Sequence, residues 1–349
     1  MLGVFCPFAA GYFLSFFFRN VNAVISKDLA REFSLSSSDL GFLTSMYLLA
    51  FAAFQLPLGV LLDRYGPRRV VAALLCIAAA GALTFALARD FAALSIGRAL
   101  IGLGVSGGLM GAIKAFTLSF PLSRLATLNG LYLAVGGIGG LSATAPAEVL
   151  VGPFGWRVLF IALAALSVLA ASAVFFIVPE KRLPGEGQTL RAQIAGFGEV
   201  FTHVPFWRIA LPLVVCHAGY LALQGLWLGP WLYDVAGESR VAVGVKSGLD
   251  VILAVYGFTA ISAALAYAIF TPLFPPEMTG RVNTASNVLM FACSFVFQWG
   301  IGALLRLYPV QDGRYAPEGY STAFLIIAAL QAAALAWLLP MREVRQPRL

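Results

Sequence analysis

Residues 59–69 read Gly59-Val-Leu-Leu-Asp63-Arg64-Tyr65-Gly66-Pro67-Arg68-Arg69. Charges, glycines and a proline are crowded here between two apolar runs, 41–62 and 70–88. Each run is about as long as the ~20 residues a helix needs to cross the hydrocarbon of a bilayer. A tight polar turn between two such runs describes a helical hairpin whose legs lie in lipid and whose bend lies in water. Arg64, Arg68 and Arg69 place that bend on the cytoplasmic side, where short basic connections are retained.

The whole chain agrees with that hairpin. It has 349 residues, of which 60% are hydrophobic and 11% charged, against roughly 45–50% and about 25% in soluble domains. With a mean hydropathy of +0.88, these figures exclude a soluble enzyme, a disordered chain, a disulfide-stapled module and a fibrous protein. The fold class is an all-α polytopic membrane protein. Ten segments are predicted, near 4–25, 41–62, 70–88, 91–118, 125–146, 157–178, 208–232, 250–271, 285–306 and 321–340. They are too long and too evenly apolar for barrel strands, which alternate.

Loop charge orients the chain. Connections on the side of Arg64 also hold Arg124, Lys181, Arg182, Arg191 and Arg281, while acidic residues lean to the other side. Both termini are therefore expected in the cytoplasm, in an inner (plasma) membrane. The net charge of +7 reports orientation and gives no basic face for a nucleic acid. Arg19 interrupts the first apolar stretch, which argues against a cleaved signal peptide. Cys6, Cys76, Cys216 and Cys293 lie in apolar runs with no metal-ligand spacing, and read as small core hydrophobes. The polar stretch 179–207, with Pro184, Gly185 and Gly187, reads as a linker, so that 1–180 is one six-helix bundle, 181–207 the linker and 208–349 a shorter bundle of about four helices.

The opening stretch resembles the G-x-L-x-D-R-x-G-x-R-R signature of the major facilitator superfamily, on Gly59, Asp63, Arg64, Gly66, Arg68 and Arg69, with Gln55-Leu-Pro57 before it. Arg98-Ala-Leu-Ile-Gly102 is similar to the family's pattern in the fourth helix. Gly130, Gly136, Gly137, Gly139, Gly140 and Pro146 resemble a glycine-rich stretch of its antiporters. Gly155-Trp156-Arg157 also fits. The resemblance implies two six-helix halves that rock about a midplane site, with Asp63, Arg64, Gly59, Gly66 and Arg68 forming a gating latch and Arg98 a buried cation of the same machinery. The glycines serve close helix packing equally well.

Gly11-Tyr12-Phe-Leu-Ser-Phe-Phe-Phe-Arg19-Asn20 resembles the first helix of organophosphate:phosphate antiporters, which implies that Arg19 binds an anionic solute. Arg19 and Lys114 lie deep in apolar segments where no carboxylate falls near, and such cations are costly unless an anion joins them. The competing reading is that they snorkel or bond to helix carbonyls. Where those antiporters carry a second arginine, this chain has Gln224, a hydrogen-bonding group without charge. His217 on the same helix adds a titratable group, and Tyr12 a hydroxyl. Tyr47, Tyr132, Trp227, Trp231 and Trp299 are aromatic candidates for a cavity wall.

Twelve helices are implied and ten are found. Pro272–Arg281 looks like the loop after the family's tenth helix, so the eighth and ninth are the missing pair, and a second copy or a partner would fill the gap. The expected function is a secondary transporter, by exchange or uniport, of a small anionic organic solute. The alternative is a non-transporting solute sensor or assembly partner on the same scaffold. No cofactor, metal site, nucleotide loop or hydrolase motif is found, and no enzyme activity is expected.

Overall fold

A computed structural model describes residues 2–180, 198, 200–237, 276–311 and 313–337. Its helices are α1 (Leu2–Phe33), α2 (Ser37–Ala86), α3 (Phe91–Val105), α4 (Gly108–Ser119), α5 (Leu122–Ser142), α6 (Ala145–Ile177), α7 (Val204–Ala222), α8 (Leu228–Asp234), α9 (Pro276–Leu305) and α10 (Pro317–Ala336). A π-helical turn, Leu223–Trp227, joins α7 to α8. A short antiparallel hairpin, β1 (Val310–Gln311) and β2 (Arg314–Tyr315), precedes α10.

Among the described residues eight helical runs are long and apolar enough to cross a membrane. The run Ser37–Ala86 holds both legs of the expected hairpin and is broken at Gly66, whose φ of 79° and ψ of 159° are open only to glycine. The expected segment 250–271 and residues 181–197 of the expected linker 181–207 lie outside the described residues, as does the gap assigned to the missing helices; within that linker 200–202 are helical and α7 starts at Val204. Three expectations are corrected. Helix α9 begins at Pro276, inside the stretch read as a loop. Pro146, grouped above with the glycines of the fifth segment, instead stands in the first turn of α6, where a proline loses no helical hydrogen bond. Cys6 and Cys76 are exposed on the apolar exterior rather than in the core.

Helix starts follow local chemistry. At α2, Ser36 Oγ accepts from Asp39 N at 3.2 Å while Asp39 accepts from Ser36 N at 3.0 Å, a reciprocal cap. At α3, Asp90 caps Ala93 N at 2.7 Å. Packing is close where glycines face a neighbour: a Cβ at Gly102 of α3 would overlap the carbonyl of Tyr47 on α2. Leu131 and Leu133 on α5, Val168 and Leu169 on α6 and Leu325 on α10 face outward, as side chains must where lipid is the solvent.

Helix α6 repeats the device of α2. It breaks at Gly155 with the same φ of 79° and ψ of 159°. Two residues after each glycine stands an arginine that fastens the antiparallel partner. Arg68 Nε donates to Phe175 O at 2.6 Å, and Arg157 Nη2 donates to Ala88 O at 3.0 Å. Arg69 pairs with Glu180 at 2.5 Å and Arg157 with Glu32. The second half of α2 and the main part of α6 are thus pinned to each other at both ends.

Candidate functional site

Arg19 sits on α1 with its guanidinium carbon 4.7 Å from the centre of the Phe16 ring, 5.6 Å from Phe51 and 5.3 Å from Phe291, with Tyr47 at 6.0 Å. These rings come from α1, α2 and α9, so early and late helices meet around one cation. Cation–π contacts of this kind stabilise by about 0.5–2 kcal/mol. They do not replace hydrogen bonds: Nε is buried with no acceptor, and no carboxylate pairs with Arg19 among the described residues.

The π-helical turn comes beside it. Gly225 lies where a Cβ would be 3.0 Å from Gln298 Nε2 and 3.9 Å from Arg19 O, so α7, α9 and α1 converge there. Gln224 is half-buried in this turn, and π-helical turns recur at functional positions because they redirect side chains. Gln298 is buried, its Oε1 has no donor, and its backbone carbonyl accepts from Trp227 Nε1 at 2.7 Å. His217, two turns before Gln224, lies within electrostatic reach of Arg19 and its Nδ1 is buried without a partner. A guanidinium, an imidazole and an amide oxygen thus carry open hydrogen-bonding capacity in one apolar region.

Lys114 does not join this group. Its Nζ pairs with Asp63 at the Gly66 turn, so the expectation of a second uncompensated cation is corrected. The apolar run around Lys114 hid the partner, because Asp63 is distant in sequence and reaches it across the α2–α4 contact. Arg64 is exposed, over Tyr65 at 5.4 Å. Arg68 and Arg69 are engaged with the end of α6 as described, and Gly59 is half-buried on the helix that leads to the turn.

Arg98 is fully buried. One nitrogen, Nη1, donates to Phe18 O at 3.0 Å, and the guanidinium lies 5.3 Å from the Tyr47 ring. Tyr12 is also buried, stacked on Tyr132 with centroids 4.3 Å apart, and its ring lies 5.0 Å from that of Phe16, which in turn faces Arg19. Its ring packs α1 on α5. Phe51, Phe291 and Gln298 were missed in the sequence. Gln298 alone left a signal, as an amide inside the apolar run 285–306.

Residues 8–308 match the Major Facilitator Superfamily. The probable sulfoacetate transporter SauU of Cupriavidus necator is 26% identical over 306 residues, which are 83% of this chain and 68% of SauU. The probable nitrate/nitrite antiporter NarK1 of Thermus thermophilus is 28% identical over 227 residues, 61% of this chain and 50% of NarK1. The chain spans between half and about two thirds of the length of these relatives. The crystal structure of the nucleoside transporter NupG (D323A mutant) superposes with a TM-score of 0.72 at 13% identity, covering 97% of this chain and all of that one, a likeness of fold alone. With the family matched over most of its length, this multi-pass membrane chain belongs to the Major Facilitator Superfamily.

Proposed function

We propose that the protein is a secondary transporter that moves a small organic anion across the inner membrane by alternating access. The observation that carries the reading is Arg19: a half-buried guanidinium in an aromatic cage, whose buried Nε has no acceptor and which no carboxylate pairs among the described residues. In a low-dielectric bundle such a cation costs several kcal/mol unless an anion completes it. Arg19 would hold the acidic group of the solute, Gln224 and Gln298 would bond its neutral atoms, and His217 would adjust the charge of the site.

The residues 59–69 and their partners form the latch of the reading. Asp63–Lys114, Arg68 on the α6 carbonyl and Arg69–Glu180 join three helices on the face read as cytoplasmic, and their release would accompany opening there. The relatives named for sulfoacetate and for nitrate/nitrite support an anionic solute, because both names denote anions. Exchange or uniport fits the absence of a midplane carboxylate among the described residues.

The test is counterflow in liposomes reconstituted with purified protein. Sulfoacetate and a panel of short sulfonates and carboxylates should include at least one solute showing saturable exchange. Neutral sugars and organic cations should show none. Exchange of a cation but of no anion would overturn the assignment.

A further inference from the structure

The positive side chains of this chain divide by what balances them. Lys27 pairs with Asp234, Lys114 with Asp63 and Arg157 with Glu32, while Arg68 and Arg69 share Glu180. Arg19 and Arg98 are the two described cations whose buried nitrogens lack an acceptor, and no described carboxylate pairs with either. Both face one ring. The centre of Tyr47 lies 6.0 Å from the guanidinium carbon of Arg19 and 5.3 Å from that of Arg98. The two carbons are therefore at most 11.3 Å apart, 6.0 Å plus 5.3 Å.

The helices hold this arrangement in place. Tyr47 donates its hydroxyl to Ser15 O at 3.1 Å and Arg98 Nη1 donates to Phe18 O at 3.0 Å, so α2 and α3 both grip the turn of α1 that leads into Arg19. Gly102, one turn after Arg98, permits the approach, because a Cβ there would overlap the Tyr47 carbonyl. Arg98 has no exposed surface, and its Nε and Nη2 stand without acceptors. One carbonyl and the Tyr47 and Phe85 rings, the latter at 6.0 Å, lower the cost of burying a guanidinium. They bring no negative charge.

Charge balance then defines the occupant. Around Tyr47 there are two positive groups and, among the described residues, no carboxylate paired with them. His217, a further titratable group within electrostatic reach of Arg19, is neutral or positive. A monoanion at Arg19 would neutralise one guanidinium and leave the other buried and unbalanced. A solute with two acidic groups neutralises both. Its second charge does not have to touch Arg98: at a range of up to 11.3 Å, with the effective dielectric constant of about 20 that suits a protein interior, one further unit of charge changes binding by about tenfold.

We infer that the solute is a short dianion and that Arg98 reads its second charge across the Tyr47 ring. The inference rests on the proposal that Arg19 holds the first acidic group, and it adds the class of solute. A skeleton with two acidic groups is taken in preference to the same skeleton with one. Arg98 determines specificity from a distance, and Tyr47 is the spacer that keeps two like charges apart.

The test uses probes matched in length that differ by one charge: sulfoacetate against isethionate, which has a hydroxymethyl group in place of the carboxylate, and malonate against hydracrylate, which differs in the same way. Binding to the purified full-length protein is measured by calorimetry at about pH 7.5, where all the acidic groups are ionised. In at least one pair the dianion should bind at least about tenfold more tightly, equivalent to about 1.4 kcal/mol, and in neither should the monoanion bind more tightly. Arg98→Gln should weaken the dianion by about tenfold and the monoanion less, drawing the two together. Arg98→Lys, which keeps the charge, should keep most of the preference. Arg19→Gln should weaken both members of a pair. Equal binding within both pairs, or a preference for the monoanion, would overturn the dianion while leaving an anion at Arg19 standing. Equal losses for both members in Arg98→Gln would reduce Arg98 to a packing residue and overturn its role. Binding of none of the four probes would overturn the dianion as stated, and the wider counterflow panel decides the anion reading separately. The comparison within pairs on the unaltered protein holds whether or not Arg98→Gln folds.

Discussion

Asp63 and Lys114 show what a single residue contributes to this account. Their pairing at the Gly66 turn makes the two substitutions Asp63→Asn and Lys114→Gln parts of one event. Each should slow solute exchange with little change in melting temperature, and the double variant should be no slower than the worse single one, since the second change removes a partner already lost. Additive losses would mean that the two side chains act separately. Gly102 makes a steric prediction. Gly102→Ala forces a methyl group into the Tyr47 carbonyl, an overpacking that costs about 1–3 kcal/mol, readable as a lower melting temperature in detergent. The sequence made Arg19, Gln224 and His217 visible, because a polar group in an apolar run stands out. It could not show that Lys114 was paired, since a partner distant in the chain is invisible until helices α2 and α4 are side by side.

At the scale of elements, α2 and α6 use one device twice. Gly66 and Gly155 have the same backbone angles, and the arginine two residues later holds a carbonyl at the far end of the antiparallel helix. At Gly155 a Cβ would meet no atom within 4 Å, so any cost of Gly155→Ala is conformational. It should be about 1–3 kcal/mol, measured as a loss of thermal stability, and Gly155→Asn should do no better because the ψ is extended and outside the left-handed helical well. The first of these turns was legible in the sequence from Gly66-Pro67 between charges. The second was noticed only as Gly155-Trp156-Arg157, and the break of α5 from α6 at Ala143–Thr144 was missed, because the apolar run continues across it without a polar marker. The π-helical turn was equally hidden: period-based reading assumes regular helices, and a single wide turn leaves no trace in composition.

Across the whole molecule, membrane residence and family follow from composition and the residues 59–69, as few arrangements satisfy a backbone in lipid. Orientation is a prediction of loop charge. A cysteine placed at Gly187 should react with an impermeant maleimide only after the membrane is opened, and reaction from outside would invert the topology. The central claim, an anion held by Arg19 where early and late helices meet, has a more direct test. Once counterflow has identified a transported anion, its binding to the purified protein is measured by calorimetry for the unaltered chain, Arg19→Gln and Arg19→Lys. Arg19→Gln should weaken binding by at least about tenfold, equivalent to about 1.4 kcal/mol, and Arg19→Lys should recover only part of it, a point charge replacing a bidentate fork. Unchanged affinity in Arg19→Gln would contradict the account.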